Sequence, residues 1–130
     1  MIAEDETDIR NLVAIMAEHW GHVPLTFKDG TEAWKFLDKL ERGEIRDNIP
    51  DFALMDIRMP GYRGDEIAHR MRTIAILQNI PIVLMTAYSL SDGERAAMLT
   101  NGADLIIDKP LPDFAKLESD LNNVIRNKNR

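Results

Sequence analysis

Phe52-Ala53-Leu54-Met55-Asp56 is an apolar run closed by an acid, and Ile80-Pro81-Ile82-Val83-Leu84-Met85-Thr86 repeats the form with a hydroxyl at its end. Neither run alternates apolar with polar residues, as a strand with one wet face does. Continuous apolarity marks strands covered on both sides, the habit of parallel sheets. Outward from these two, similar runs alternate with segments of helical period: Met1 to Ala3 then Thr7 to Trp20, Val23 to Phe27 then Thr31 to Glu41, and Phe52 to Ile57 then Asp65 to Leu77. Ile80 to Met85 then Asp92 to Thr100, and Leu105 to Ile107 then Asp113 to Asn127, complete the series. Five strand-helix units in strict succession predict an α/β domain: a doubly wound parallel sheet of five strands with five helices covering its two faces.

Spacing assigns the buried helix faces. Ile9, Leu12, Val13 and Met16 form one stripe, and Phe114, Leu117, Leu121, Val124 and Ile125 another. Gly21 and Asn101-Gly102 read as helix stops, Ser91-Asp92-Gly93-Glu94 as a capping box, and Pro112 as a first-turn residue of the last helix. Leu40 to Asp51, charged and broken by Gly43 and Pro50, reads as an extension of the second helix followed by a surface loop. The first strand is short, with only Met1-Ile2-Ala3 ahead of the acids, which suggests residues upstream in a longer chain.

The 130 residues suit a single domain over positions 1–130, long enough to bury one substantial core. A net charge of -6 repels the nucleic-acid backbone, so direct DNA or RNA binding is not expected. The absence of cysteine excludes disulfides, a thiol nucleophile and thiolate metal sites. No apolar stretch approaches the roughly 18 residues of a membrane span, and nothing resembles a signal peptide, so a cytoplasmic location without direct membrane contact is expected.

The chemistry gathers at the strand ends. Glu4 and Asp5 follow the first strand, Asp56 ends the third, Thr86 the fourth, and Lys109-Pro110 follows the fifth. An open parallel sheet collects such ends along one edge, which makes a single pocket of them. One acid at a strand end is more often a helix cap. Three acids at two adjacent ends with a lysine aimed at the same place are not explained by capping. Crowded carboxylates raise one another's pKa unless a cation intervenes, and oxygen-only ligands favour Mg²⁺ or Mn²⁺ over zinc.

"AEDE" after the first strand, "LMDIRMPG" at the third, "LMTA" at the fourth and "DKP" at the fifth, taken in order, resemble the receiver domain of two-component response regulators, of the chemotaxis-regulator type, over essentially the whole chain. The resemblance implies a flavodoxin-like sheet of order 2-1-3-4-5. It also implies a phosphoryl group passed from a histidine kinase or phosphotransfer protein onto Asp56, with Thr86 bonding that group and Lys109 pairing with its oxygens. Glu4, Asp5, Asp56 and the backbone carbonyl of Arg58 would hold Mg²⁺, Glu4 through water. A cis Lys109-Pro110 peptide is implied too, as is a partner surface on the fourth helix, fifth strand and fifth helix that addresses a downstream effector. Such a domain is a phosphorylated switch and not a true enzyme, although it assists its own phosphoryl transfer and dephosphorylation.

Two departures stand out. The aromatic that the family commonly carries three residues before the lysine is Ile106 here, best read as strand core, while Tyr88 lies two residues past Thr86. Tyr62 and Arg63 replace the usual Met and Asp, and read as surface variation beside the pocket, with Gly64 keeping the turn. His19 and His22 suggest a metal pair or a phosphorylated histidine, but Gly21 between them breaks helical presentation and His69 has no acidic support in sequence, so all three read as ordinary surface or half-buried histidines; Trp20 and Trp34 read as packing on helix faces. The rival readings are an unphosphorylated receiver-like interaction module and a hydrolase. A dehalogenase-type phosphatase needs a second aspartate two residues after the nucleophile, where this chain has Arg58.

Overall fold

The structure, a computed structural model, describes residues 1–128; Asn129 and Arg130 lie outside the described residues. Strands β1 (Ile2–Ala3), β2 (Thr26–Phe27), β3 (Ala53–Asp56), β4 (Ile82–Thr86) and β5 (Leu105–Asp108) alternate with helices α1 (Thr7–His19), α2 (Gly30–Glu41), α3 (Gly64–Met71), α4 (Asp92–Asn101) and α5 (Phe114–Lys128). All pairings are parallel and the order is β2-β1-β3-β4-β5, the doubly wound sheet that the sequence predicts.

The unbroken apolarity of β3 and β4 has the expected cause. Met55, Ile82 and Leu84 point into a core shared with Leu37 of α2, Ile67 and Met71 of α3 and Met98 of α4. Their neighbours Leu54, Val83 and Met85 point into a second core with Val13 and Met16 of α1 and Leu117, Leu121 and Val124 of α5. Successive side chains of a strand leave by opposite faces, so a strand between two helix layers has no wet side to spend on polar residues.

Several boundaries differ from the sequence expectation. Of Val23 to Phe27 only Thr26 and Phe27 pair in the sheet, and Val23 is almost fully exposed. Helix α2 stops at Glu41, so only the first two residues of Leu40 to Asp51 are helical. Its last carbonyls are taken by Arg42, Gly43 and Glu44, and Gly43 has a φ of 73° that a helix cannot continue. Helix α3 ends at Met71, and a separate 3-10 turn over Ala75–Leu77 follows. Within α1 the buried stripe runs through Val13 and Met16, with Ile9, Ala17 and Trp20 packed beside them, whereas Leu12 lies off it and is half exposed. Phe114, also largely exposed, leans on the rings of Trp20 and His19, with centroids 5.2 and 5.3 Å away. Pro112 precedes α5 and does not enter its first turn. The capping box at Ser91 forms as read: Ser91 Oγ accepts from the Glu94 N–H at 3.1 Å, and a Glu94 carboxylate oxygen accepts from the Ser91 N–H at 3.1 Å.

Candidate functional site

Strand register brings the chemistry together. Ala3 lies beside Met55 on the neighbouring strand, Asp56 beside Met85, and Thr86 beside Asp108, so the residues at and just past these ends share one edge of the sheet. Gly64 fixes the depth of Asp56, since a Cβ there would overlap the Asp56 main-chain carbonyl. The Lys109 amide donates to the Thr86 carbonyl at 2.7 Å, and the Lys109-Pro110 peptide is cis, as the resemblance implies.

Glu4 is fully buried, and Asp56 and Thr86 nearly so. The Lys109 ammonium reaches between the acids, 2.6 Å from Glu4 Oε1 and 3.1 Å from Asp56 Oδ2, with Glu6 Oε1 at 4.0 Å. Burial pulls its pKa down, but the hydrogen bonds and charges of Glu4 and Asp56 outweigh this and hold the ammonium above its ordinary 10.5. The carboxylates of Glu4, Asp5 and Asp56 each place an oxygen within 4.8 Å of the others. Three such anions against one ammonium leave two negative charges unbalanced, and a divalent ion with oxygen ligands meets that deficit. Neither Asp5 nor Asp56 is a helix cap: α1 is preceded by Glu6, and α3 begins well beyond Asp56.

The Thr86 hydroxyl accepts a hydrogen bond from the Tyr88 N–H at 3.0 Å and faces the Tyr88 carbonyl at 3.4 Å. The Arg58 amide donates to Asp56 Oδ1 at 3.4 Å, and its guanidinium lies 3.9 Å from the centroid of the Tyr88 ring. Thr86, Tyr88, Leu90, Arg95, Asp108 and Lys109 line a polar recess of about 260 Å³ beside the acids. A larger cavity of about 470 Å³, among Trp20, Leu25 and Phe52, opens at the opposite edge of the sheet, away from this chemistry.

Glu4, Asp5, Asp56, Thr86 and Lys109 thus converge, with the Arg58 backbone next to Asp56. Ile106 is strand core, as read. The sequence reading missed two features. Glu6 approaches Lys109, a contact hinted at only by its place directly after the acidic pair. Tyr62, read as surface variation, lies flat against Trp34 of α2, with centroids 3.8 Å apart and planes 8° from parallel. That contact joins distant parts of the chain and leaves no local trace in the sequence.

The family model of the response regulator receiver domain matches residues 1–122. The chain belongs to that family. Among curated relatives, the phosphate regulon transcriptional regulatory protein PhoB of Pseudomonas aeruginosa is 32% identical over 110 residues, 85% of this chain and 44% of its own length. Response regulator Rre1 of Synechocystis is 28% identical over 126 residues, 96% of this chain and 50% of its own. The receiver domain therefore spans about half the length of these relatives. Among solved structures, the receiver domain of a Pseudomonas aeruginosa sensor histidine kinase is 26% identical with a TM-score of 0.75, covers 96% of this chain and 94% of that one, and carries a magnesium ion in its active-site cleft. The CheY-like receiver of Methanospirillum hungatei, 22% identical with a TM-score of 0.79 over 98% of this chain and 93% of that one, shares the fold. Receiver domains of this family serve in two-component phosphorelay signalling. Among the described residues no helix is long and apolar enough to cross a membrane.

Proposed function

We propose that this receiver domain accepts a phosphoryl group on Asp56 from a histidine kinase or phosphotransfer protein, and that it acts in the cytoplasm as a switch for a downstream effector domain or protein. The observation that carries the reading is the buried Asp56 carboxylate 3.1 Å from the Lys109 ammonium, with two further carboxylates close by. Carboxylate attack on a phosphoryl group brings anion to anion, so positive charge at the transfer point governs the barrier. A carboxylate nucleophile carries its own electron pair, so Asp56 needs no base to supply its nucleophilic oxygen. Lys109 neutralises the incoming oxygens. Glu4, Asp5, Asp56 and the Arg58 carbonyl would hold Mg²⁺, which when bound cancels further charge on the transferring group.

Thr86 converts the mark into a change of shape. To donate to a phosphoryl oxygen its hydroxyl gives up the turn it makes with Tyr88, which frees the segment between β4 and α4 to rearrange. The face formed by α4, β5 and α5, where Arg95 of α4 already pairs with Asp108 of β5 at 3.1 Å, is the surface that this rearrangement addresses. The domain holds its own product and does not turn over a substrate, although its site assists both gain and loss of the phosphoryl group.

Incubation with acetyl phosphate and Mg²⁺ separates the readings. A phosphorylated switch takes up one phosphoryl group and retains it long enough to weigh. An unphosphorylated interaction module stays unmodified, and a hydrolase consumes the donor without holding the mark; either result would overturn the proposal.

A further inference from the structure

Asp56 is followed by a loop, Ile57 to Arg63, whose path is fixed at several points. Its ends are tied by the Gly64 amide donating to the Ile57 carbonyl at 3.0 Å. Its crown is tied to the start of α2, where the Gly30 amide donates to the Pro60 carbonyl at 3.0 Å. There the two backbones touch: a Cβ on Gly30 would overlap the Tyr62 carbonyl, and one on Gly61 would overlap Thr31 Oγ1. Gly61 also has a φ of 83°, which other residues rarely adopt.

The Tyr62 side chain completes the attachment. Its ring stacks on Trp34, and the Arg70 guanidinium of α3 lies 4.4 Å from the centroid of the same indole. Arg70 is itself held by Asp38 at 2.7 Å, Glu41 at 3.0 Å and the Trp34 carbonyl at 3.3 Å. A stack of phenol, indole and guanidinium therefore joins the loop to both α2 and α3.

Arg58 lies within this loop, and its carbonyl is the one main-chain oxygen in the metal set proposed above. A side-chain ligand can adjust by rotating about its own bonds, but a carbonyl goes only where its backbone goes. We infer that Tyr62 is a positioning residue for the divalent cation, its stack on Trp34 holding the Ile57 to Arg63 loop so that the Arg58 carbonyl is already in place when the ion arrives. The inference rests on the functional reading above and deepens it. Groups that orient a metal ligand from behind typically govern affinity by about tenfold or more.

The test is Mg²⁺ affinity by calorimetry for the full chain and for Tyr62→Ala and Tyr62→Phe. Tyr62 is 37% exposed, so truncating it excavates no core. The Ala variant is expected to bind Mg²⁺ about tenfold more weakly. The Phe variant keeps a flat ring on Trp34 and is expected to match the parent. A purely structural role would lower the metal-free unfolding midpoint of Tyr62→Ala and leave its Mg²⁺ affinity unchanged, and that result overturns the inference alone. A parent that binds no Mg²⁺ overturns both the inference and the functional reading.

Discussion

Arg58 and Tyr88 each stand two positions beyond a pocket residue, Asp56 and Thr86, and they meet across the mouth with the guanidinium 3.9 Å from the ring centroid. Hydrolysis of the proposed acyl phosphate needs water opposite the Asp56 oxygen, and a cation stacked on an aromatic ring would obstruct that approach. Arg58 can also bond a phosphoryl oxygen, yet it supplies no base to activate water. Arg58→Ala combined with Tyr88→Ala is expected to lose phosphoryl about tenfold faster, a barrier change of roughly 1.4 kcal/mol. Decay followed after removal of the donor checks this, and a double variant that decays at the parent rate rules the shielding out. Asp5 carries a second prediction. Partial burial of its carboxylate, with the hydrogen bond and charge of Glu4 beside it, raises its pKa above the ordinary 3.8. The metal-free fold therefore binds the Asp5 proton more tightly than the unfolded chain does. The ionised group opposes folding above its raised pKa, and the handicap lifts as pH falls through that value. Mg²⁺ needs the ionised form, so its affinity should decline through the same window, which lies above 3.8. Asp5→Asn is expected to raise the metal-free unfolding midpoint and to weaken Mg²⁺ binding by about tenfold or more in calorimetry. Unchanged affinity would remove Asp5 from the ligand set.

Helix α3 shows what governs an element's end. Its helical period continues through Leu77, yet the helix stops at Met71: the Thr73 amide and hydroxyl both donate to the Arg70 carbonyl, at 2.9 and 2.6 Å, and Ile74 turns extended with φ -95° and ψ 116°. The Arg72 guanidinium bonds the carbonyls of Gly102, Gln78 and Ile80 and the Asp104 carboxylate, and Asp104 in turn accepts from the Ile82 amide at 2.8 Å and pairs with Lys128 at 3.2 Å. This knot ties the approaches to β4 and β5 to the end of α3. Arg72→Met takes one partner from the Asp104 carboxylate and leaves three carbonyls without their guanidinium donor, and is expected to cost about 2 kcal/mol in urea unfolding. A midpoint equal to the parent's would show the knot to be dispensable. The strands and the order of elements were legible because burial on both faces leaves its mark in every residue of β3 and β4. The pocket acids were legible because strand ends share one edge. The pairing of Tyr62 with Trp34 and the exposure of Leu12 were not, since each depends on how segments far apart in sequence pack; the stop at Met71 was not, since it rests on backbone turns at Thr73 and Ile74 that the apolar period does not mark.

At the scale of the whole molecule, two cores clamp a sheet whose central strands end in the site, so charge at the site and stability of the fold are linked. Glu4 is wholly buried and Lys109 is its counter-ion, so the fold tolerates the acidic cluster only while positive charge is at hand. Binding of a cation to the folded state alone would add to stability by mass action, and would raise the unfolding midpoint. The proposed role of this arrangement is to phosphorylate one carboxylate, Asp56. Intact mass after treatment with acetyl phosphate and Mg²⁺, for the parent and for Asp56→Asn, tests it most directly. One phosphoryl group is expected on the parent and none on Asp56→Asn; equal labelling of the variant, or an unlabelled parent, would refute that role.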